Sequence, residues 1–179
     1  MARSWLSIRV DLVEGGGHAS LWPRPGRILA AARSHTFAQL ATAIDDAFAR
    51  WDRSHLHEFE IGDTQLIGPI VWEDAPENAQ RSDQVRLSRL GLGEQFVYTF
   101  DLGDDWTHLC TVGPARIDPA ETLGIVPETP LPYWGWGAIP DQYGRAFDGD
   151  DGETDLEPDP ELIDLPQLRP HWGPRQPRG

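Results

Sequence analysis

Residues 98–109 read YTFDLGDDWTHL, and this stretch crowds Asp101, Asp104, Asp105, Trp106 and His108 around one glycine. A carboxylate beside an imidazole is the pairing used in general acid–base work, because the carboxylate orients the ring and stabilises its protonated form. A second cluster, HLHEF at residues 55–59, supplies His55, His57 and Glu58. On a strand, residues two apart project from the same face. Two imidazoles so arranged suit a metal, with His108, Asp104 or Asp105 as a third ligand. Such a donor set would accept zinc, manganese or iron, and a water on an open position would become a nucleophile near neutral pH. Glu58 is a second acid, on the opposite parity from His57.

Each cluster also has a purely structural explanation. Phe59 and Ile61 share the parity of His55 and His57, so that face runs into the core, where a histidine is commonly a half-buried ring with one hydrogen bond. Aspartate and glycine at a turn bond to nearby amides and tolerate positive φ. Asp101 could cap amides within such a turn. Cys110, two residues beyond His108, reads as a small core residue.

The elements that must hold these residues are legible from periodicity. Residues 4–13 alternate, with Leu6, Ile8, Val10 and Leu12 on one side, and predict a half-buried strand. Gly15-Gly16-Gly17 predicts a turn into a second strand around residues 18–22. Pro23 and Pro25 then stop pairing, or confine it to an edge, and a short third strand is expected near residues 27–31. Thr36 followed by Gln39 fits a capping box. Phe37, Leu40, Ala41, Ile44, Ala47, Phe48 and Trp51 then fall at helical spacing, predicting an amphipathic helix over residues 37–51 with Asp45 and Arg50 away from the apolar stripe. Residues 55–61 predict a strand, and residues 64–72 an extended segment broken at Gly68-Pro69. A polar loop is expected over residues 73–82, then a short strand or helical turn over residues 85–90. Phe96, Tyr98, Phe100 and Leu102 alternate, as do Trp106, His108, Cys110 and Val112, so LGDD closes a hairpin.

Beyond residue 114 prolines punctuate the chain, and PYWGWGAIPDQYGRAF predicts an irregular, aromatic-rich arm in which Tyr133, Trp134, Trp136 and Tyr143 anchor onto the domain. Residues 148–164 hold nine acidic residues and no basic one. The expected organisation is a domain over residues 1–146 and a disordered, acidic then Pro/Arg-rich tail over residues 147–179. The expected fold class is α+β: a mixed or antiparallel sheet packed on one main amphipathic helix.

Composition narrows the chemistry. The net charge of −14 disfavours general nucleic-acid binding. The chain has no lysine, which excludes a Schiff-base amine and a Walker lysine from it. Its single cysteine, Cys110, precludes an intramolecular disulfide and fits the reducing cytoplasm. No run approaches the ~18 apolar residues of a membrane span, and the first residues lack the apolar core of a signal peptide. The acidic run at residues 148–153 superficially matches a calcium loop but misplaces the glycine and lacks the following helix.

A strand containing LW, a helix ending AFARW, the HLHEF segment and YTFDLGDDWTH, in that order, resemble the plasmid pRiA4b ORF-3-like family. The resemblance spans about residues 4–145. The chain carries Leu102 where many members have phenylalanine, and residues 140–145 lack the cysteine that members often have there. The second histidine position is often tyrosine in the family. The resemblance implies an α+β fold and an association with plasmids or other mobile elements, and supplies no reaction. Residues and resemblance together lead to a non-enzymatic cytoplasmic module that binds a protein or peptide through a sheet edge or the aromatic arm. The alternatives are a metal-dependent hydrolase built on His55, His57 and His108, and a DNA-associated accessory protein, which the charge opposes.

Overall fold

The computed structural model describes residues 4–18 and 20–144. The acidic tail and its expected disorder lie outside the described residues. Eight strands form one sheet: β1 (Trp5–Glu14), β2 (Gly26–Ala32), β3 (His57–Ile61), β4 (Thr64–Gly68), β5 (Gln80–Arg81), β6 (Gln95–Phe100), β7 (Trp106–Ile117) and β8 (Leu131–Trp136). Their order is β5-β4-β3-β6-β7-β1-β2-β8. Every neighbouring pair is antiparallel except β4–β5. With helix α1 (Phe37–Ala47) on one face, this is the α+β architecture the patterning predicts.

Alternation in the sequence sets the two faces. Leu6, Ile8, Val10 and Leu12 of β1 join Phe59, Phe96, Tyr98, Phe100, Trp106 and Cys110 in the main core, closed by Phe37, Leu40, Ile44 and Phe48. Each large side chain so buried contributes roughly 1.5–3 kcal/mol. Trp5, of the other parity, turns to the opposite face and packs with Ala30 and Ala32 beneath Ile117, Leu123 and Tyr133. The capping box is present: the Gln39 amide donates to Thr36 Oγ1 at 3.2 Å and the Thr36 amide to Gln39 Oε1 at 2.9 Å.

Several expectations need correction. The helix stops at Ala47, because Ala49 takes a left-handed φ of 55° and the Arg50 amide turns back to the Asp45 carbonyl at 2.9 Å. Trp51 therefore leaves the apolar stripe and is 41% exposed, whereas Asp45 and Arg50, expected at the surface, are buried. Residues 18–22 form no strand. His18 closes a tight turn on Gly15, the Leu21 amide donates to the Val13 carbonyl at 2.9 Å, and the regular ladder with β1 begins at Gly26, as β2. Gly15 and Gly16 have no room for a side chain, since a Cβ on Gly16 would lie 2.3 Å from the Trp106 ring. The loop over residues 73–82 contains the short β5. Over residues 85–90 the helical alternative expected there holds, as a single 3-10 turn at residues 87–89. The arm is less irregular than its prolines suggest: β7 runs on to Ile117, a short helix α2 (Pro119–Leu123) follows, and β8 pairs with β2.

Candidate functional site

The predicted site residues lie close in sequence register but face different ways. His55 precedes β3, so the shared-face geometry expected of His55 and His57 does not form. His57 opens β3, buried, with Nε2 2.8 Å from Ser82 Oγ, and burial holds its pKa down to about 4. His108 is fully enclosed. Its Nδ1 donates to the Tyr98 carbonyl at 3.2 Å, and its ring meets Phe48 edge-on at 4.7 Å. Burial, then the nearby Arg50 charge, lowers its pKa to about 3. Tyr98 lies between the two imidazoles, its ring centroid 5.9 Å from His57 and 5.5 Å from His108. Among the described residues, no three or more His, Cys, Asp or Glu side chains are placed to hold a metal ion, so His55, His57 and His108 do not form one ligand set. Glu58 is on the other sheet face and accepts from Gln65 Nε2 at 2.6 Å.

The hairpin aspartates build the turn. Asp101 takes a positive φ of 59° and its Oδ1 accepts from the Gly103 amide at 3.0 Å and the Asp104 amide at 3.3 Å. Asp105 also has a positive φ, 51°. Asp104 is half-buried, and its carbonyl accepts from the Gly16 amide at 2.8 Å. Trp106 is pinned between that glycine turn and the Arg50 guanidinium, whose carbon lies 3.7 Å from the ring centroid.

Two of the predicted residues meet in a pairing not foreseen, His55 and Asp101, with Nδ1 3.4 Å from Oδ2. Two residues with no motif in the sequence complete that cluster. His55 Nε2 lies 2.7 Å from Tyr143 Oη and 3.2 Å from Asp52 Oδ2, and Tyr143 Oη donates to Asp52 Oδ2 at 2.9 Å. Hydroxyl, imidazole and carboxylate in that order resemble an activated nucleophile. The tyrosine is not activated, however: burial and then its bond to Asp52 push its pKa up to about 12. The cluster instead clasps three segments: the chain after α1, the β6–β7 turn and the arm. Gln142 reinforces it, accepting from the Trp51 and Asp52 amides at 2.9 and 3.0 Å and donating to the Asp52 carbonyl at 3.1 Å.

Beneath the clasp lies a buried charged group that periodicity hid. Tyr98 Oη donates to Asp45 Oδ1 at 2.8 Å, and burial raises the Asp45 pKa to about 7. None of the Arg50 guanidinium nitrogens has a hydrogen-bond partner among the described residues. Burial lowers its pKa to about 10, opposed by the charges of Asp45 and Asp141. A shallow groove of about 530 Å3, lined by Trp5, Arg116, Ile117, Asp118 and Val126 among others, opens on the Trp5 face of the sheet, away from the main core.

The outer surface differs at the two ends of the sheet. β5 ends it with two exposed polar residues beside the Arg81–Asp83 ion pair. β8, LPYWGW, ends it with no charged residue, and no described strand pairs with its outer edge. Tyr133 is tied inward, its Oη 2.9 Å from Ser7 Oγ. The Trp136 indole N–H donates to the Arg24 carbonyl at 3.0 Å. Trp134, between them, is 45% exposed.

This is a single-sheet α+β domain whose histidines and acids are engaged in packing and which leaves an aromatic sheet edge open. The chain belongs to the family described as plasmid pRiA4b ORF-3-like protein, whose model matches residues 19–127, more than half of its length. Among solved structures it is similar to the protein of unknown function MM3350 from Methanosarcina mazei Go1. The TM-score is 0.57 at 19% identity, over 75% of this chain and 70% of that one, a likeness of fold. No curated protein matches the chain.

Proposed function

We propose that the chain is a non-enzymatic binding module that takes a partner's extended segment as an added strand on β8. The carrying observation is the uncharged outer edge of β8 with Trp134 exposed upon it. Edge strands are normally blunted by charge, proline or brevity, because their free amides and carbonyls template pairing with other chains. β5 has the first and last of these devices. β8 has only Pro132 near its start, which leaves residues 133–136 open. Strand addition draws affinity from main-chain hydrogen bonds and selectivity from alternate side chains. An exposed tryptophan is a favoured anchor for such contacts.

The test is to pan a displayed library of random peptides against the full chain and measure the recovered sequences as synthetic peptides. Trp134→Lys places a charge on the edge and is expected to weaken them at least about tenfold, with the unfolding midpoint unchanged. Peptides N-methylated at alternate amides are expected to lose binding as well. Recovery of no peptide sensitive to both changes defeats the proposal.

A further inference from the structure

The last turns of the β1–β7 ladder are irregular. Leu6 pairs with Arg116 but Ile8 with Val112, so residues 113–115 bulge opposite Ser7, and the ladder ends with Trp5 opposite Ile117. Asp118 then caps α2, its Oδ1 accepting from the Ala120 and Glu121 amides at 2.9 and 3.4 Å. Gly124, at a φ of 78°, turns the chain out of that helix. The groove of about 530 Å3 lies where this course leaves the sheet, with the ladder end and Val126 among its walls. Its volume is within the ~300–1,000 Å3 of small-molecule sites.

The lining has an apolar part and a polar part. Trp5, 2% exposed, Ile117, half-buried, and Val126, 60% exposed, supply the apolar surface. The polar groups left without partners are a cation and a hydroxyl. Arg116 is exposed and makes no ion pair or hydrogen bond among the described residues. Ser4 Oγ is enclosed and has no hydrogen-bond partner there either. The lining carboxylate, Asp118, is committed to the α2 amides.

We propose that this groove binds a small organic carboxylate with an apolar chain or ring. The body lies on Trp5, Ile117 and Val126, and the carboxylate pairs with Arg116, with the Ser4 hydroxyl as a second donor. A guanidinium fork matches the two carboxylate oxygens, and such charge-assisted bonds are stronger than neutral ones. One negative charge suits the site better than two, because Asp118 would repel a dianion more strongly. The site is separate from the outer edge of β8 and stands whether or not strand addition does.

The experiment titrates the full chain with octanoate, phenylbutyrate, their primary amides and octyl phosphate, followed by the amide resonances of residues 116–118 and 126 and the Trp5 indole resonance. Both acids are expected to shift these signals saturably with dissociation constants below about 1 mM, and the amides to bind at least about threefold more weakly, the scale of an exposed ion pair. Arg116→Gln should weaken the acids at least about threefold and abolish their advantage over the amides. Val126→Asp, at an exposed position, should weaken acids and amides alike. No saturable shift at these residues overturns the proposal. So does equal binding of acid and amide, or an acid affinity that Arg116→Gln leaves unchanged. Tighter binding of octyl phosphate than of octanoate overturns the assignment to a carboxylate.

Discussion

At the scale of single residues, the candidate chemistry resolves into buried groups whose titration opposes one another. His57 and His108 sit at about 4 and about 3, below the ordinary imidazole value of ~6.5, while Asp45 sits at about 7, above the ordinary ~3.9. Between about pH 4 and pH 6.5 the unfolded chain binds a proton on each of those imidazoles that the native state refuses. The native state binds one on Asp45 that the unfolded chain releases. The difference is about one proton in favour of the unfolded state, so from these groups stability climbs with pH across that window by roughly 1.4 kcal/mol per unit. From about pH 6.5 to 7 only Asp45 still titrates, and the trend reverses slightly. Urea unfolding at a series of pH values is expected to show this climb, and Asp45→Asn to steepen it by removing the opposing group. A profile that Asp45→Asn leaves unchanged would contradict the assignment. None of this was legible in the sequence. HLHEF and DLGDDWTH display the residue types, but the engagement of His57 with Ser82, and of His55 with Tyr143, depends on partners 25 and 88 positions away.

At the scale of elements, the end of α1 decides much of the site. An alanine in the left-handed region is strained relative to glycine, by roughly 1–2 kcal/mol. Ala49→Gly is therefore expected to stabilise the chain by about 0.5–1 kcal/mol, after the greater freedom of glycine in the unfolded state is subtracted. Denaturant midpoints will show the gain, and a loss would mean that φ at this position is not 55°. The arm is the second deciding element. Gln142→Ala removes three hydrogen bonds between the arm and residues 51–52. Hydrogen exchange at the Trp51 and Asp52 amides should accelerate strongly in that variant, while the amides of β1 and β7 keep their protection. Uniform acceleration across the sheet would instead mean that the arm is integral to global folding. The capping box and the β1 alternation were readable because they are local rules. The early helix end was not, because nothing within residues 37–51 marks Ala49 as the residue to take positive φ.

At the scale of the whole molecule, one eight-stranded sheet carries both packed faces, with the short β5 at one end and the uncharged β8 at the other. Its centre is β7 between β6 and β1, where Cys110 is fully buried, its thiol pushed well above the ordinary value by burial. Cys110 is thus a reporter of global opening. Thiol reagents are expected to modify it at the rate at which the sheet unfolds, accelerating with denaturant in parallel with loss of tryptophan fluorescence. Fast modification under native conditions would show that the centre of the sheet opens locally.

By itself the sequence determined the α+β class, the amphipathic helix with its cap, the hairpin around LGDD and the family, because each depends on periodicity or on a contiguous motif. Only the tertiary structure decided that Asp45 and Arg50 lie inside, that His55 joins Asp52, Asp101 and Tyr143, and that the proline-rich arm supplies the last strand. Those outcomes depend on which distant segments meet. Burial of a charged side chain, and the pairing of an edge strand, are properties of the neighbours a residue acquires on folding, and a local pattern of residue types carries no record of them.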